Sequence, residues 1–326
     1  MRFHYLVAYS PTNEDYDGRF RTISLKVKRP GVQVQTRQGY FAVRAAETTP
    51  LRGYEAPALV RLDRQPRPHD FPIQAAALSF PTAERPGLAP VLVRVPAPAY
   101  ELDKTDKSGK KIHRADLTVL ARVKDPSGRE VDRVSQHYPL SAPADLLEKA
   151  RRGDILFYRE AELPPGRYTV EAIAYDAVAN KSSVSTAAVE VPAAEGPRLS
   201  SIVLIGRAEK VAAGEQTDNP LYYGDTILYP NMGEPFRKSV NPALGFFFSV
   251  YGAKTPTPKA TIEVYRGDQR AGQVTADLPA PDATGRIQYA GSLPLQGFAA
   301  GSYTLKVTTT GQTGSESRQA SFTVAE

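Results

Sequence analysis

A chain of 326 residues is too long for one ordinary β-sandwich and comfortable for two domains of about 100 to 150 residues with a short extra piece. Hydrophobic residues at 41% and charged residues at 23% are ordinary globular values, which excludes wholesale disorder; the absence of cysteine excludes disulfides, thiolate nucleophiles and thiolate metal sites. The 28 prolines and 24 glycines are too many for a helical protein and suit short strands joined by turns, so the composition points to an all-β chain with a formal charge of +6.

Residues 1–8 carry one arginine and a short apolar run that turns polar too soon for a signal-peptide core. No run approaches the roughly 18 to 20 apolar residues of a membrane helix, so no membrane insertion is predicted. Residues 4–9 read as a strand and 11–18 as a loop. Residues 20–28 alternate, with Ile23, Leu25 and Val27 apolar against Thr22, Ser24, Lys26 and Lys28; after the turn Arg29-Pro30-Gly31 the alternation resumes over 32–37. This is one hairpin, and three strands alone bury too little to fold stably. As an orphan it would expose Ile23, Leu25, Val27 and a free edge, which predicts docking on the first sandwich, self-association or disorder. Residues 1–45 hold eight cations (Arg2, Arg19, Arg21, Lys26, Lys28, Arg29, Arg37, Arg44) against Glu14, Asp15 and Asp17, a balance of 8 − 3 = +5. Lysines alternating with apolar residues along a strand read as a solvated face rather than a nucleic-acid surface.

Residues 46–70, with Pro50, Pro57, Pro66 and Pro68 and no sustained period, read as a tether. Residues 71–192 form the first sandwich, with strands at 73–80, 91–95, 115–124, 130–138, 155–163, 167–176 and 183–191, and a short helix near 142–152 that opens on Ser141 and Pro143 and ends at Gly153. Pro192 and the linker 193–197 precede a second sandwich, 198–326, with strands near 199–207, 226–229, 245–251, 260–266, 273–278, 285–293, 302–309 and 319–324. The two blocks end alike. Gly166-Arg167-Tyr168-Thr169-Val170 is matched by Gly301-Ser302-Tyr303-Thr304-Leu305, each followed about 15 residues later by a closing strand. A glycine turn entering a Tyr-x-apolar strand resembles the terminal hairpin of fibronectin type III and related immunoglobulin-like modules, which implies a tyrosine packed at the sandwich corner. The fold class is all-β: two immunoglobulin-like β-sandwiches in tandem.

The N-terminal motifs carry a second resemblance. Tyr9-Ser10-Pro11-Thr12-Asn13, then Asp17-Gly18-Arg19-Phe20-Arg21, then Arg29-Pro30-Gly31, then Gly39-Tyr40-Phe41-Ala42 resemble, in order and spacing, the end of the von Willebrand type A domain in the bacterial "VWFA-related" proteins, most abundant in Acidobacteria. The resemblance covers about 45 residues. It implies a doubly wound domain whose Asp-x-Ser-x-Ser loop binds Mg²⁺, yet no such loop is present: the nearest strings, Asp125-Pro126-Ser127-Gly128-Arg129 and Asp132-Arg133-Val134-Ser135, lack the second serine. Residues 1–45 are thus expected to be the remnant C-terminal strands of a type A domain, from a frame opened at an internal methionine or a gene truncated upstream. An extracytoplasmic location, periplasmic or secreted, is expected for the full-length family.

Candidate sites are sparse. His4, His69, His113 and His137 sit in no catalytic motif, so no enzyme and no cofactor is predicted. Asp15-Tyr16-Asp17-Gly18 lacks the distal glutamate of a Ca²⁺ loop, and Asp176 with Asn180 reads as an Asx turn. The run Lys104 to Lys111, without an aromatic, reads as a hairpin tip and not a nucleic-acid site. Aromatics gather in the second sandwich, where Phe246 and Phe248 alternate toward one face and leave Tyr222, Tyr223, Phe247 and Tyr251 as candidates for stacking on a sugar. Core and inter-domain packing is the competing account of those rings. The leading reading is a non-enzymatic structural and protein-interaction module with an unidentified protein partner; the alternative is a carbohydrate-binding accessory module. Neither uses a metal, so millimolar Mg²⁺ should leave the melting temperature unchanged in a thermal scan, and a clear rise would reveal a metal site.

Overall fold

The computed structural model describes residues 19–28, 39–42, 51–97, 104–105, 111–143, 147–150, 152–193, 198–211, 218–252, 258–311 and 314–326. The expected strands at 4–9 and 32–37, the loop 15–18, His4 and most of the linker lie outside these residues. In the N-terminal piece, β1 (Phe20–Thr22) pairs antiparallel with β2 (Gly39–Phe41), Phe20 opposite Phe41 and Thr22 opposite Gly39, a register symmetric about Pro30-Gly31. A Cβ on Gly39 would lie 2.5 Å from the Phe20 ring and 2.3 Å from the Arg21 carbonyl oxygen, so only glycine admits this approach. Leu25 and Val27 are 47% and 45% exposed.

The first sandwich contains β3 (Gln74–Ala77), β4 (Leu88–Pro96), β5 (Lys104–Thr105), β6 (Lys111–Lys124), β7 (Glu130–Pro143), β8 (Asp154–Glu162), β9 (Gly166–Asp176) and β10 (Lys181–Val191). Sheet β3-β4-β8 faces sheet β7-β6-β9-β10, and β5 pairs antiparallel with the start of β6. Alternate residues point inward: Val91, Val93 and Val95 from β4 meet Leu117, Val119, Ala121 and Val123 from β6 and Val170, Ala172 and Ala174 from β9.

The second sandwich contains β11 (Arg198–Leu199), β12 (Val203–Lys210), β13 (Tyr222–Tyr223), β14 (Thr226–Pro230), β15 (Phe236–Arg237), β16 (Ala243–Tyr251), β17 (Lys259–Arg266), β18 (Gln269–Asp277), β19 (Ile287–Pro294), β20 (Gly301–Gly311) and β21 (Gly314–Ala325). One sheet is β13-β14-β12-β16-β19, with β11 also against β16; the other is β18-β17-β20-β21-β15, whose last pair is parallel. If the principal strands of each sandwich are numbered 1 to 7 in chain order, both have one sheet ordered 1-2-5 and the other 4-3-6-7. The sandwiches are therefore a topological repeat.

The matched chain endings have one physical cause. The Tyr168 hydroxyl donates to the Pro164 carbonyl at 2.8 Å, and the Tyr303 hydroxyl donates to the Ala299 carbonyl at 2.8 Å. Each tyrosine ties its strand to the loop that enters it. Gly166 (φ +154°) and Gly301 (φ +146°) supply the backbone conformation, unfavourable for other residues, that lets the chain double back.

Face-to-face contact of the sheet β3-β4-β8 with the sheet β13-β14-β12-β16-β19 joins the sandwiches. The side chains of β4 and β16 that point away from their own cores, Leu88 and Leu92 on one and Phe247 on the other, form a third buried cluster with Leu78, Phe80, Val203, Leu221 and Leu228. Strands buried on both faces are continuously apolar, as Leu-Ala-Pro-Val-Leu-Val and Phe-Phe-Phe are here. Backbone bonds cross the same seam: Ser201 N–H donates to the Ser79 carbonyl (2.8 Å), and Ser79 N–H donates to Ser201 Oγ (2.8 Å).

Three expectations are corrected. The single strand expected at 199–207 is two, β11 and β12, interrupted at Ser201, whose N–H and Oγ bond to Ser79 of the first sandwich. The tether 46–70 contains helix α1 (Glu55–Leu62), whose Ala58, Leu59 and Leu62 pack on Leu120 and Ile173 of the outer face of the larger first sheet. Pro57 is tolerated because first-turn N–H groups have no intrahelical partner. Of the helix expected near 142–152, residues 142 and 143 instead belong to β7, which stays paired with β6 through Pro143, and α2 (Leu147–Ala150) is helical; residues 144–146 and 151 lie outside the described residues. Among the described residues no helix is long and apolar enough to cross a membrane.

The seam and the corners give distinct stability predictions. Phe247→Ala should cost about 3–5 kcal/mol in urea unfolding, through lost burial and a cavity. Tyr168→Phe and Tyr303→Phe should each cost about 1 kcal/mol, the worth of one hydrogen bond.

Candidate binding groove between the sandwiches

The aromatic candidates separate by burial. Phe247 is fully buried in the seam and Tyr251 is 4% exposed, so neither ring face is free to stack on a sugar. This corrects the reading of those two as stacking platforms; packing between the sandwiches accounts for Phe247. Tyr223 is 41% exposed and meets the Phe247 ring edge-on at 5.8 Å, while Tyr222 is half-buried.

Tyr222 and Tyr251 nevertheless share a cavity of about 680 Å³ at the rim of the seam. The first sandwich contributes Thr82, Glu84 and Arg85 from the loop between β3 and β4. The second contributes Asp218, Asn219 and Tyr222 from the segment entering β13, Tyr251 at the end of β16, and Thr284, Arg286 and Gln288 around the start of β19. Local bonds fix these groups. Gln288 Nε2 donates to the Tyr222 carbonyl (2.8 Å), Asn219 Oδ1 accepts from Leu221 N–H (2.9 Å), and Arg286 Nε donates to Asp282 Oδ2 (3.0 Å). Arg85 is held by Glu160 and by Glu162 (3.1 Å) of β8. Burial pushes the Tyr251 hydroxyl up to about 12, so it remains a neutral donor. The groove thus offers hydrogen-bonding groups of both senses on a rigid frame, and every wall depends on the two sandwiches being joined.

The other sequence candidates fold back on themselves. Asp125 Oδ1 accepts from the N–H groups of Ser127 (2.9 Å) and Arg129 (3.0 Å), and Ser135 Oγ donates to Glu55. These residues do not fit the Mg²⁺ loop of a type A domain, and among the described residues no three His, Asp or Glu side chains gather as a metal site. Asp176 Oδ1 accepts from Val178 N–H (2.9 Å) and Ala179 N–H (3.2 Å), an Asx turn, while Asn180 adopts φ +57° and accepts from Arg61. His137 Nε2 lies 2.6 Å from Asp116 Oδ1 and the ring stacks on Tyr54 at 5.4 Å, far in sequence and fold from His69, which bridges to Ser183.

A cluster of buried charge that the sequence did not reveal lies under α1. Arg122, 3% exposed, donates to Glu171 Oε2 (2.9 Å) and to Asp63 Oδ1 (2.7 Å) just past the helix; Lys124 lies 2.8 Å from the same Glu171 oxygen, and Arg67 pairs with Oε1. At the other end of the helix Glu55 accepts from Arg52 N–H (2.9 Å) and lies 3.3 Å from Arg133. Arg122 and Lys124 alternate with core residues on β6, which reads as an ordinary solvated face until the helix covers it. These ions clamp α1 to the sheet.

No family model matches the chain, and no curated protein matches it. Among solved structures, a beta-glucuronidase of Bifidobacterium dentium complexed with coumarin-3-O-glucuronide is similar at 10% identity and a TM-score of 0.23, over 72% of this chain and 40% of that one. The present chain therefore spans well under half the length of that structure.

Burial raises the Glu171 carboxyl, but Lys124 and Arg122 outweigh it and hold the group down at about 2, from an ordinary 4.5. A depressed folded pKa gives stability that is complete above about 4.5 and lost as pH falls toward 2. Between pH 6 and pH 2 the wild type should therefore lose about 3 kcal/mol more unfolding free energy than Glu171→Gln, measured by urea titration at each pH.

Proposed function

We propose that the chain is the C-terminal portion of a VWFA-related protein and acts outside the cytoplasm as a non-catalytic structural and protein-interaction module. The observation that carries this reading is the seam. Its apolar cluster and crossed serine bonds turn two sandwiches into a single body, the property required of a spacer that holds surfaces at fixed separation. The shared 1-2-5 and 4-3-6-7 strand order with a corner tyrosine in each sandwich supports the likeness to fibronectin type III modules.

Placement of the charges supports the same reading. The most buried ions are consumed in clamping α1, and the polar outer face of the second sandwich's sheet β18-β17-β20-β21-β15, with Thr261, Glu263, Lys306 and Thr308 on its central strands, is left for a partner. In the N-terminal piece the Phe20 and Gly39 motifs that carry the type A resemblance touch one another, so their spacing has a structural cause.

The genomic DNA upstream of Met1 tests the family assignment. An in-frame Asp-x-Ser-x-Ser segment preceded by a signal peptide is expected there, and the native protein should fractionate with periplasmic or secreted material. A stop codon and a promoter directly upstream, with the protein in the cytosol, would overturn the reading.

A further inference from the structure

We propose that the groove at the rim of the seam binds a neutral saccharide, a mono- or disaccharide unit, through hydrogen bonds rather than through stacked rings. Its volume of about 680 Å³ is that of a small-molecule site. Its walls come from both sandwiches and are fixed by the seam, so the site exists before any ligand arrives.

The unspent bonding capacity identifies the ligand. Gln288 uses its Nε2 on the Tyr222 carbonyl, which leaves Oε1 as an acceptor; Arg286 uses Nε on Asp282, which leaves its terminal nitrogens as donors. The Tyr222 hydroxyl donates or accepts as needed, while the Tyr251 hydroxyl, approached by the Ser249 side chain, keeps its own proton to donate. A sugar hydroxyl is itself donor and acceptor together, so a ring of hydroxyls matches a mixed set of this kind. An anion would need donors alone. Charge opposes an anion further: Arg85 is neutralised by Glu160 and Glu162 and Arg286 by Asp282, whereas Glu84 and Asp218 on the rim have no ion pair among the described residues. The uncompensated charge at the mouth is negative.

The proposal is independent of the interaction-module reading and is tested by titration calorimetry of the full chain with cellobiose, maltose, lactose and N,N′-diacetylchitobiose, with galacturonate as the anionic probe. At least one neutral sugar should bind, and galacturonate should not. Tyr251→Phe, which removes one oxygen from an otherwise unchanged core side chain, and Arg286→Met should each weaken binding about tenfold or more. Tyr265→Phe, on the opposite sheet of the second sandwich, should not. Arg286→Met also removes the ion pair with Asp282, so melting curves are taken for all variants, and Tyr251→Phe carries the test if that loop is disturbed. Absence of binding by all four neutral sugars, tighter binding of galacturonate, or wild-type affinity in Tyr251→Phe would overturn the proposal.

Discussion

The joining of the two sandwiches depends on the burial of Phe247 between the sheet β3-β4-β8 of the first and the sheet β13-β14-β12-β16-β19 of the second. A β-strand offers two faces, and in an isolated sandwich one of them meets water. Here β4 and β16 use both. Val91, Val93 and Val95 serve the first core while Leu88 and Leu92 serve the seam; Phe246, Phe248 and Val250 serve the second core while Phe247 serves the seam. Because side chains alternate along a strand, the seam could not slip by one residue without driving core side chains into the interface. The joint is consequently set by the same periodicity that sets each fold.

The seam also explains the insertion that distinguishes the second sandwich from the first. Strands β13 and β14 have no counterpart in the first sandwich, and they widen the sheet that forms the joint. Leu221 and Leu228 from this addition are buried in the seam cluster, so the extra strands extend the apolar contact beyond what a seven-stranded module could offer. Across the molecule the first sandwich has its own addition, α1, on the far side. There the contact combines a small apolar centre, Leu59 and Leu62 on Leu120 and Ile173, with a border of ions. Burying ions costs free energy unless each one is paired. Arg122 and Glu171 meet that condition through Asp63, Lys124 and Arg67, which is why removing one carboxylate affects the whole border.

Much of this was legible in the sequence where one face of a strand is apolar and the other is polar. The alternation in 115–124 and 167–176 and the glycine-tyrosine pair at each chain end specify strands and corners that the structure contains. Legibility failed where tertiary contact overrides local pattern. Helix α1 is eight residues long and contains Pro57, so its period is too short to register against four prolines in the surrounding 25 residues. Ser200 to Ile202 read as strand; Ser200 still bonds to Ser249 of β16, but Ser201 turns its N–H to Ser79 of the first sandwich, a contact that the sequence does not show. Phe247 was visible as an anomaly in the alternation of Phe246 and Phe248, but a ring that fails to face its own core can face either solvent or a neighbour. The sequence contains no term that chooses between them.

The groove illustrates the same limit with a different outcome. Its polar groups come from positions 85, 219, 222, 251, 286 and 288, on four separate segments, and no spacing rule links them. Two of the aromatics singled out for exposure do lie on it, for a reason other than the one given: Tyr222 belongs to the added strand β13, and Tyr251 ends the strand whose middle is Phe247. The insertion that widens the seam therefore also builds the groove wall, and a change that loosened the joint would open the site as well. Stability of the seam and geometry of the groove are one quantity viewed from two positions, so selection acting on either would act on both.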